Sequence, residues 1–444
     1  MEERMKMNRN IILILVVVIG AVFGVWSAGL WLGGCSSTQN EVLNGTTTTT
    51  GDVSTTTTNI LASTTTTTTS TTTTTFIGSW IPLGGSFLVG SASFRMAVSP
   101  TDGLVYAIFL DQTDLKVKAA LYFPGFNTWA LLPPTGESVA ETGSSYFNIC
   151  APGSGNLYAA YLYMITDITT SKVKVKNYNQ PMGTWESFGT DVASGAAGSV
   201  GMQVYSDGIN DVVYLSIRSG MGVCNIYKSD GGGWINLGRP STNMENETMA
   251  IAKDGTPYIA YSDMNDNGKI KVTKYSSGNW VSQGGAISDY GPADYQIALK
   301  IHGNIAYIAF CEYSTATNEA WGPVRVKKYV SGIWKDVGSV ADYGASLSLD
   351  VFDDGTGYGV PYIAYADQSN GFKLVVKMYN NNFDRWDQIG GYVSSYPASA
   401  SLFPGYSVIR VVEAGRPIVS YHFTTNPDPL YWSKNDNAIV YKYQ

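Results

Sequence analysis

The chain is expected to be all-β, a seven-bladed β-propeller with four-stranded blades, on three observations. A motif recurs about every 50 residues, as propeller blades do. The composition is rich in turn and strand formers, with 48 glycines and 30 tyrosines, yet only 14% of residues are charged. An incomplete first copy of the motif complements an incomplete last one, which predicts a ring closed by N- and C-terminal strands in one blade.

The first element is residues 1–35. Arg4, Lys6 and Arg9 precede an uncharged apolar run from Ile11 to Leu32, the layout of a signal sequence or a membrane span. Its end, Leu32-Gly33-Gly34-Cys35, resembles the lipobox of bacterial lipoproteins. That resemblance implies cleavage before Cys35, which becomes the lipidated N-terminus. The alternative is an uncleaved anchor, because the run matches the roughly 20 residues that a spanning helix requires. Both readings place the protein in the cell envelope, exported and tethered to the membrane by a lipid or a helix.

Residues 36–75 form the second element. Threonine fills positions 46–50, 55–58, 64–69 and 71–75. A segment without large apolar side chains cannot offset its ordering entropy, so an extended, solvated stalk is expected. Composition of this kind often carries O-linked sugar. The triplets starting at Asn44 and Asn246 match the N-glycosylation sequon, a pattern frequent by chance.

Residues 76–444 are the propeller. Its clearest unit runs Pro257 to Asp263, Lys269 to Tyr275, Trp280 and Gly284-Gly285, and it returns as Pro361 to Asp367, Lys373 to Tyr379, Trp386 and Gly390-Gly391. An apolar segment such as Met249 to Ala252 precedes each, giving four strands. The innermost strand reads as small and apolar, the second as Tyr-Ile-Ala-Tyr, the third alternates Lys with Val, and the fourth carries Trp. Such a gradient fits a wedge around a central channel, with Trp packing between neighbours. Six pairs, Tyr122/Trp129, Tyr178/Trp185, Tyr227/Trp234, Tyr275/Trp280, Tyr329/Trp334 and Tyr379/Trp386, mark complete units. The final stretch ends at Tyr443 without its Trp. Phe76 to Gly85 supplies a Trp strand with nothing before it, so Phe76 to Pro82 should pair with Ala438 to Tyr443.

This region resembles the repeat propellers of exported prokaryotic lipoproteins, and its Tyr-to-Trp spacing is similar to that of Kelch repeats. Kelch units carry Gly-Gly after the second strand, whereas here the glycines follow Trp. Sialidases resemble it in blade geometry, but their Ser-x-Asp-x-Gly-x-Thr-Trp boxes are missing, as is the quinoprotein signature of dehydrogenase propellers.

Chemistry-bearing residues are few. Cys150, Cys224 and Cys311 are widely spaced with no CxxC, which predicts buried thiols rather than disulfides or zinc. His302 is expected in a solvated turn, and His422 follows a strand that reaches a propeller face. Asp263 to Gly268 alternates oxygen donors as a calcium loop does, but Lys274 stands where the bidentate carboxylate belongs, so a polar turn is expected and no metal or other cofactor. Asp111, Asp263, Glu312 and Asp367 all follow the second strand of their units, with Arg218 at the equivalent place. Trp321, Trp432, Tyr290, Tyr343 and Tyr396 lie in loops on the same side. Carboxylates beside aromatics suit a sugar or a peptide, although strand-end Asp residues also cap turns.

A net charge of −7 with scattered basic residues argues against nucleic acid. The expected function is a monomeric, non-catalytic binding module for protein or glycan. Its alternative is a carbohydrate-active hydrolase or lyase using carboxylates at the channel mouth.

Overall fold

The structure is a computed structural model that describes residues 78–140, 144–163, 171–193, 197–219, 222–313, 321–393, 407–412, 415–424 and 436–444, all within the unit Thr72–Gln444. Cys35, the threonine runs, Tyr396 and Trp432 lie outside the described residues.

The described residues form antiparallel strands with only single 3-10 turns between them, an all-β propeller. The local chemistry explains each strand type. Second strands such as Val360–Asp367 are buried almost throughout, since both faces pack on neighbours, which is why they read as continuous apolar runs. Third strands such as Lys269–Ser276 alternate, with Ile270 and Val272 fully buried and the intervening lysines partly exposed. Burying each such branched side chain stabilises by about 1.5–3 kcal/mol.

Among the described residues the strands hydrogen-bond into five sheets, of eight, five, four, four and eight strands, which makes five blades and not the seven expected. Two pairings account for the difference. Phe87↔Ala438 and Leu88↔Asn437 join the strand Phe87–Val98 to Asp436–Tyr443, and Gly322↔Gly344 with Pro323↔Tyr343 join Gly322–Val330 to Tyr343–Phe352. Unpaired strand edges recruit one another, and a motif count cannot register that fusion.

The Tyr/Trp spacing is a cross-strand pair. Tyr122↔Trp129, Tyr178↔Trp185, Tyr275↔Trp280, Tyr329↔Trp334 and Tyr379↔Trp386 are direct register partners, with ring centroids 5.2 to 5.4 Å apart. Tyr227 and Trp234 depart from this: Trp234 pairs with Ser229 and Tyr227 with Asn236.

Each Trp also reaches its neighbour. The Trp334 indole N–H donates to the Gln283 carbonyl at 2.7 Å, Trp386 to Val337 at 2.8 Å and Trp129 to Leu83 at 2.7 Å. The accepting turn needs glycine. Gly284 has φ +76°, and a Cβ there would meet the Trp334 ring at 3.2 Å. Tyrosines tie the opposite side, Tyr307 to the Tyr358 carbonyl at 2.6 Å and Tyr362 to that of Gly415 at 3.1 Å.

The two ends meet as expected. Trp80↔Tyr443, Ile81↔Lys442 and Pro82↔Tyr441 are register partners, and Trp80 donates to the Ile389 carbonyl at 3.2 Å. Ser79 and Gln444 exchange backbone hydrogen bonds of 3.0 and 3.1 Å. Among the described residues, no helix is long and apolar enough to cross a membrane.

Candidate functional site

The innermost strands enclose a cavity of about 800 Å³. Its wall is more polar than the sequence reading allowed, and the side chains sit in tiers set by strand register.

The tier near the ends of the second strands is built around Glu247. The strand Met244–Ile251 breaks register between Glu245 and Thr248, with Asn246 at φ 55°. Bulges of this kind re-aim side chains. Here Glu247 lines the cavity, its side chain only 5% exposed. Ser199 Oγ donates to Glu247 Oε1 at 2.7 Å, and Arg218 Nε lies 3.7 Å from Glu247 Oε2 and donates to Ser199 Oγ at 3.3 Å. Asn246 also lines the cavity, its amide donating to Ser262 Oγ at 3.2 Å.

A second tier lies three residues beyond Glu247, at the position of Ala250, roughly 10 Å at the usual strand rise. Lys300, Asp350 and Arg410 are the register partners of Tyr307, Tyr362 and Ile418, the same position in consecutive units, and Cys150 holds that position opposite Tyr158. Lys300 Nζ pairs with Asp350 Oδ1 at 3.0 Å, and Asp350 Oδ2 accepts from the Val411 backbone N–H at 2.7 Å. Burial and the nearby Arg410 guanidinium hold the Lys300 ammonium below its ordinary value, against the pull of Asp350. Burial pushes the Cys150 thiol up to about 11, although Arg410 and Lys300 draw it down. Arg95 lines the wall between the two tiers.

The residues expected from the sequence fall differently. Arg218 lines the cavity, but Asp111, Asp263, Glu312, Asp367 and Trp321 do not. Each carboxylate is engaged within its own part of the ring. Asp111 accepts from Lys118 Nζ at 2.7 Å and from Thr113, and Asp263 from Lys271 Nζ at 2.9 Å and Asn265 N at 3.1 Å. Burial opposes ionisation of both, but these hydrogen bonds outweigh it and keep both carboxyls below their ordinary value. Glu312 pairs with Arg325 at 3.1 Å, and Asp367 accepts from Ser369, Asn370 and Tyr392. Trp321 stands edge-on to Phe372 at 5.3 Å.

The Asp263 loop is a 3-10 turn capped by Asp263, and its Asp266 pairs with Lys271 at 2.9 Å. Among the described residues, no group of three or more His, Cys, Asp or Glu side chains is placed to hold a metal ion. His302 is not a solvated turn residue: it ends the strand Pro292–His302, its side chain 15% exposed, against Gly359. His422 lies in the strand Arg416–Thr424 opposite Ala438, and its side chain is outside the described residues.

The sequence reading missed Glu247, Lys300, Asp350 and Arg410 because the innermost strands look apolar as segments. The signal was positional. Leu299-Lys300-Ile301, Leu349-Asp350-Val351 and Ile409-Arg410-Val411 put one charge between branched side chains at the same place in three consecutive units.

Fold and site together define an all-β propeller with a charged central channel. No protein-family model matches the chain, and no curated protein matches its sequence. Solved structures do. An α-L-arabinanase of Penicillium chrysogenum, complexed with arabinobiose, shares 10% identity over 82% of this chain and 98% of its own, with a TM-score of 0.44. The Hadza microbial sialidase shares 12% over 73% of each chain, with a TM-score of 0.39. The Aleuria aurantia lectin shares 12% over 76% of this chain and 90% of its own, with a TM-score of 0.40. Glycoside hydrolases recur among these matches. Likeness at this level concerns architecture alone.

Proposed function

We propose that the protein is a carbohydrate-active propeller that takes a polar oligosaccharide into its central channel. The carrying observation is the channel wall. A cavity of about 800 Å³ is of the size that ligand sites have, and its carboxylates, guanidinium groups, amides and hydroxyls stand beside partly exposed apolar positions such as Ala298 and Val408. A sugar offers hydroxyls to the first set and ring C–H faces to the second. Arrays of neutral and acidic oligosaccharides probed with the detergent-solubilised full chain test this. Binding abolished by Glu247→Gln supports it, and binding that survives Glu247→Gln but is lost with Glu312→Ala moves the site to the outer face.

One observation favours turnover of the bound sugar over display alone. Glu245 and Glu247, two residues apart on the strand Met244–Ile251, both line the cavity, and glycosidic hydrolysis uses a pair of neighbouring carboxylates. Release of new reducing ends, lost in both Glu247→Gln and Glu245→Gln, is the expected result for an enzyme. Binding without release identifies a display module. Export and membrane tethering are part of the same proposal and rest on Arg4, Lys6, Arg9, the apolar run and Cys35. Mass spectrometry of the native protein should find a lipid on Cys35 at the mature terminus.

A further inference from the structure

We infer that the tier of Lys300 and Arg410 receives an anionic group, so that the oligosaccharide taken by the channel is an acidic one carrying a carboxylate, as a uronate does. The inference rests on the channel being a sugar site.

The tier carries two cations, Lys300 and Arg410, and one carboxylate, Asp350, in a chain whose formal charge is −7. Asp350 is already engaged, by Lys300 at 3.0 Å and by the Val411 N–H at 2.7 Å. Arg410 Nη1 donates to the Ile409 carbonyl at 2.8 Å, and among the described residues no carboxylate forms an ion pair with the guanidinium. A guanidinium carries five N–H donors in a planar fork that matches a carboxylate edge. Lys300 and Arg410 hold the same register position with Asp350 between them, so an anion in the channel meets two cations at one depth. Burial first, and then repulsion from Arg410, lowers the affinity of Lys300 for its proton, and an anion bound between the two cations relieves that repulsion. At the other tier Arg218 is matched by Glu247, with the further carboxylate of Glu245 beside it, which leaves hydrogen bonding there to neutral hydroxyls.

Calorimetric titration of the full chain with a galacturonate trisaccharide, the neutral galactose trisaccharide and inorganic sulfate tests the assignment. The acidic sugar should bind at least about tenfold tighter than the neutral one. Arg410→Gln should erase that preference and Arg410→Lys restore part of it, and raised salt should shrink it in the unmodified chain. Equal binding of the two sugars overturns the inference and leaves the sugar reading standing. Sulfate binding as tightly as the acidic sugar overturns it as well, marking a simple anion site. If neither sugar binds, the sugar reading itself falls and takes the inference with it. Should Arg410→Gln fail to fold, the salt series decides: a preference unchanged at high salt overturns the assignment.

Discussion

The outer ends of the second strands and the channel wall are both rich in charge, and they differ in how the charge is arranged. At the strand ends the pattern repeats: Asp111 with Lys118, Asp263 with Lys271, Glu312 with Arg325, an acid met by a base from the adjoining strand. On the wall it does not repeat. The position held by Lys300 is Asp350 in the next unit, Arg410 in the one after, and Cys150 elsewhere. A feature that holds the strands of a unit together recurs from unit to unit. A feature that serves one ligand is present once, and that contrast separates scaffold from site in a repeat protein.

The sharpest way to break the contrast is to attack the scaffold. Deleting residues 1–83 removes Trp80 and the buried Leu83, whereas deleting 1–75 spares both. The longer deletion should lower stability by at least about 3–5 kcal/mol relative to the shorter, the usual cost of losing a large buried side chain. Equal melting temperatures for the two would show that the Trp80 strand contributes nothing to the ring.

Alkaline pH should come next in effect. Burial pushes Tyr106, Tyr158, Tyr261, Tyr307 and Tyr362 up to about 12. Tyrosines of the unfolded chain release protons near pH 10, which the folded chain still holds, so stability falls as pH rises from about 10 towards 12. Lys300, held below its ordinary value, works in the opposite sense. Urea midpoints should therefore drop between about pH 9 and about pH 11, and unchanged midpoints would contradict the burial of these hydroxyls.

Smaller effects separate the two charged regions. Glu247→Gln should weaken sugar binding by about tenfold or more, roughly 1.4 kcal/mol, with little change in melting temperature. Asp111→Asn should change stability by no more than about 1 kcal/mol, as partly exposed pairs do, and leave sugar binding untouched. If Asp111→Asn impairs binding while Glu247→Gln does not, the roles assigned to the two regions are reversed.

Much of the scaffold was legible because its chemistry is periodic. Tyr and Trp five or seven residues apart are what a tight hairpin places opposite one another, and Trp80 without a partner foretold Tyr443. The number of blades was not legible, since the fusion of sheets depends on short pairings such as Gly322↔Gly344, which involve no motif residue. The site was half legible. Arg218 stood out beside strand-end acids, but those acids prove to be occupied by Lys118, Lys271 and Arg325. The wall charges were hidden by averaging: a lysine between Leu299 and Ile301 hardly alters the apolar look of a strand, and only its register shows that it faces the cavity.

The hydrogen bonds between Ser79 and Gln444 have one more consequence. A ring whose first and last residues touch has no privileged starting point. The peptide could be opened at an exposed turn, for instance at Ser277-Gly278, and rejoined across Ser79 and Gln444 by a short linker, and the same strands would find the same neighbours. Such a circular permutant should fold, and by the same geometry the propeller can be spliced into a longer polypeptide as a pendant that enters and leaves through a single doorway.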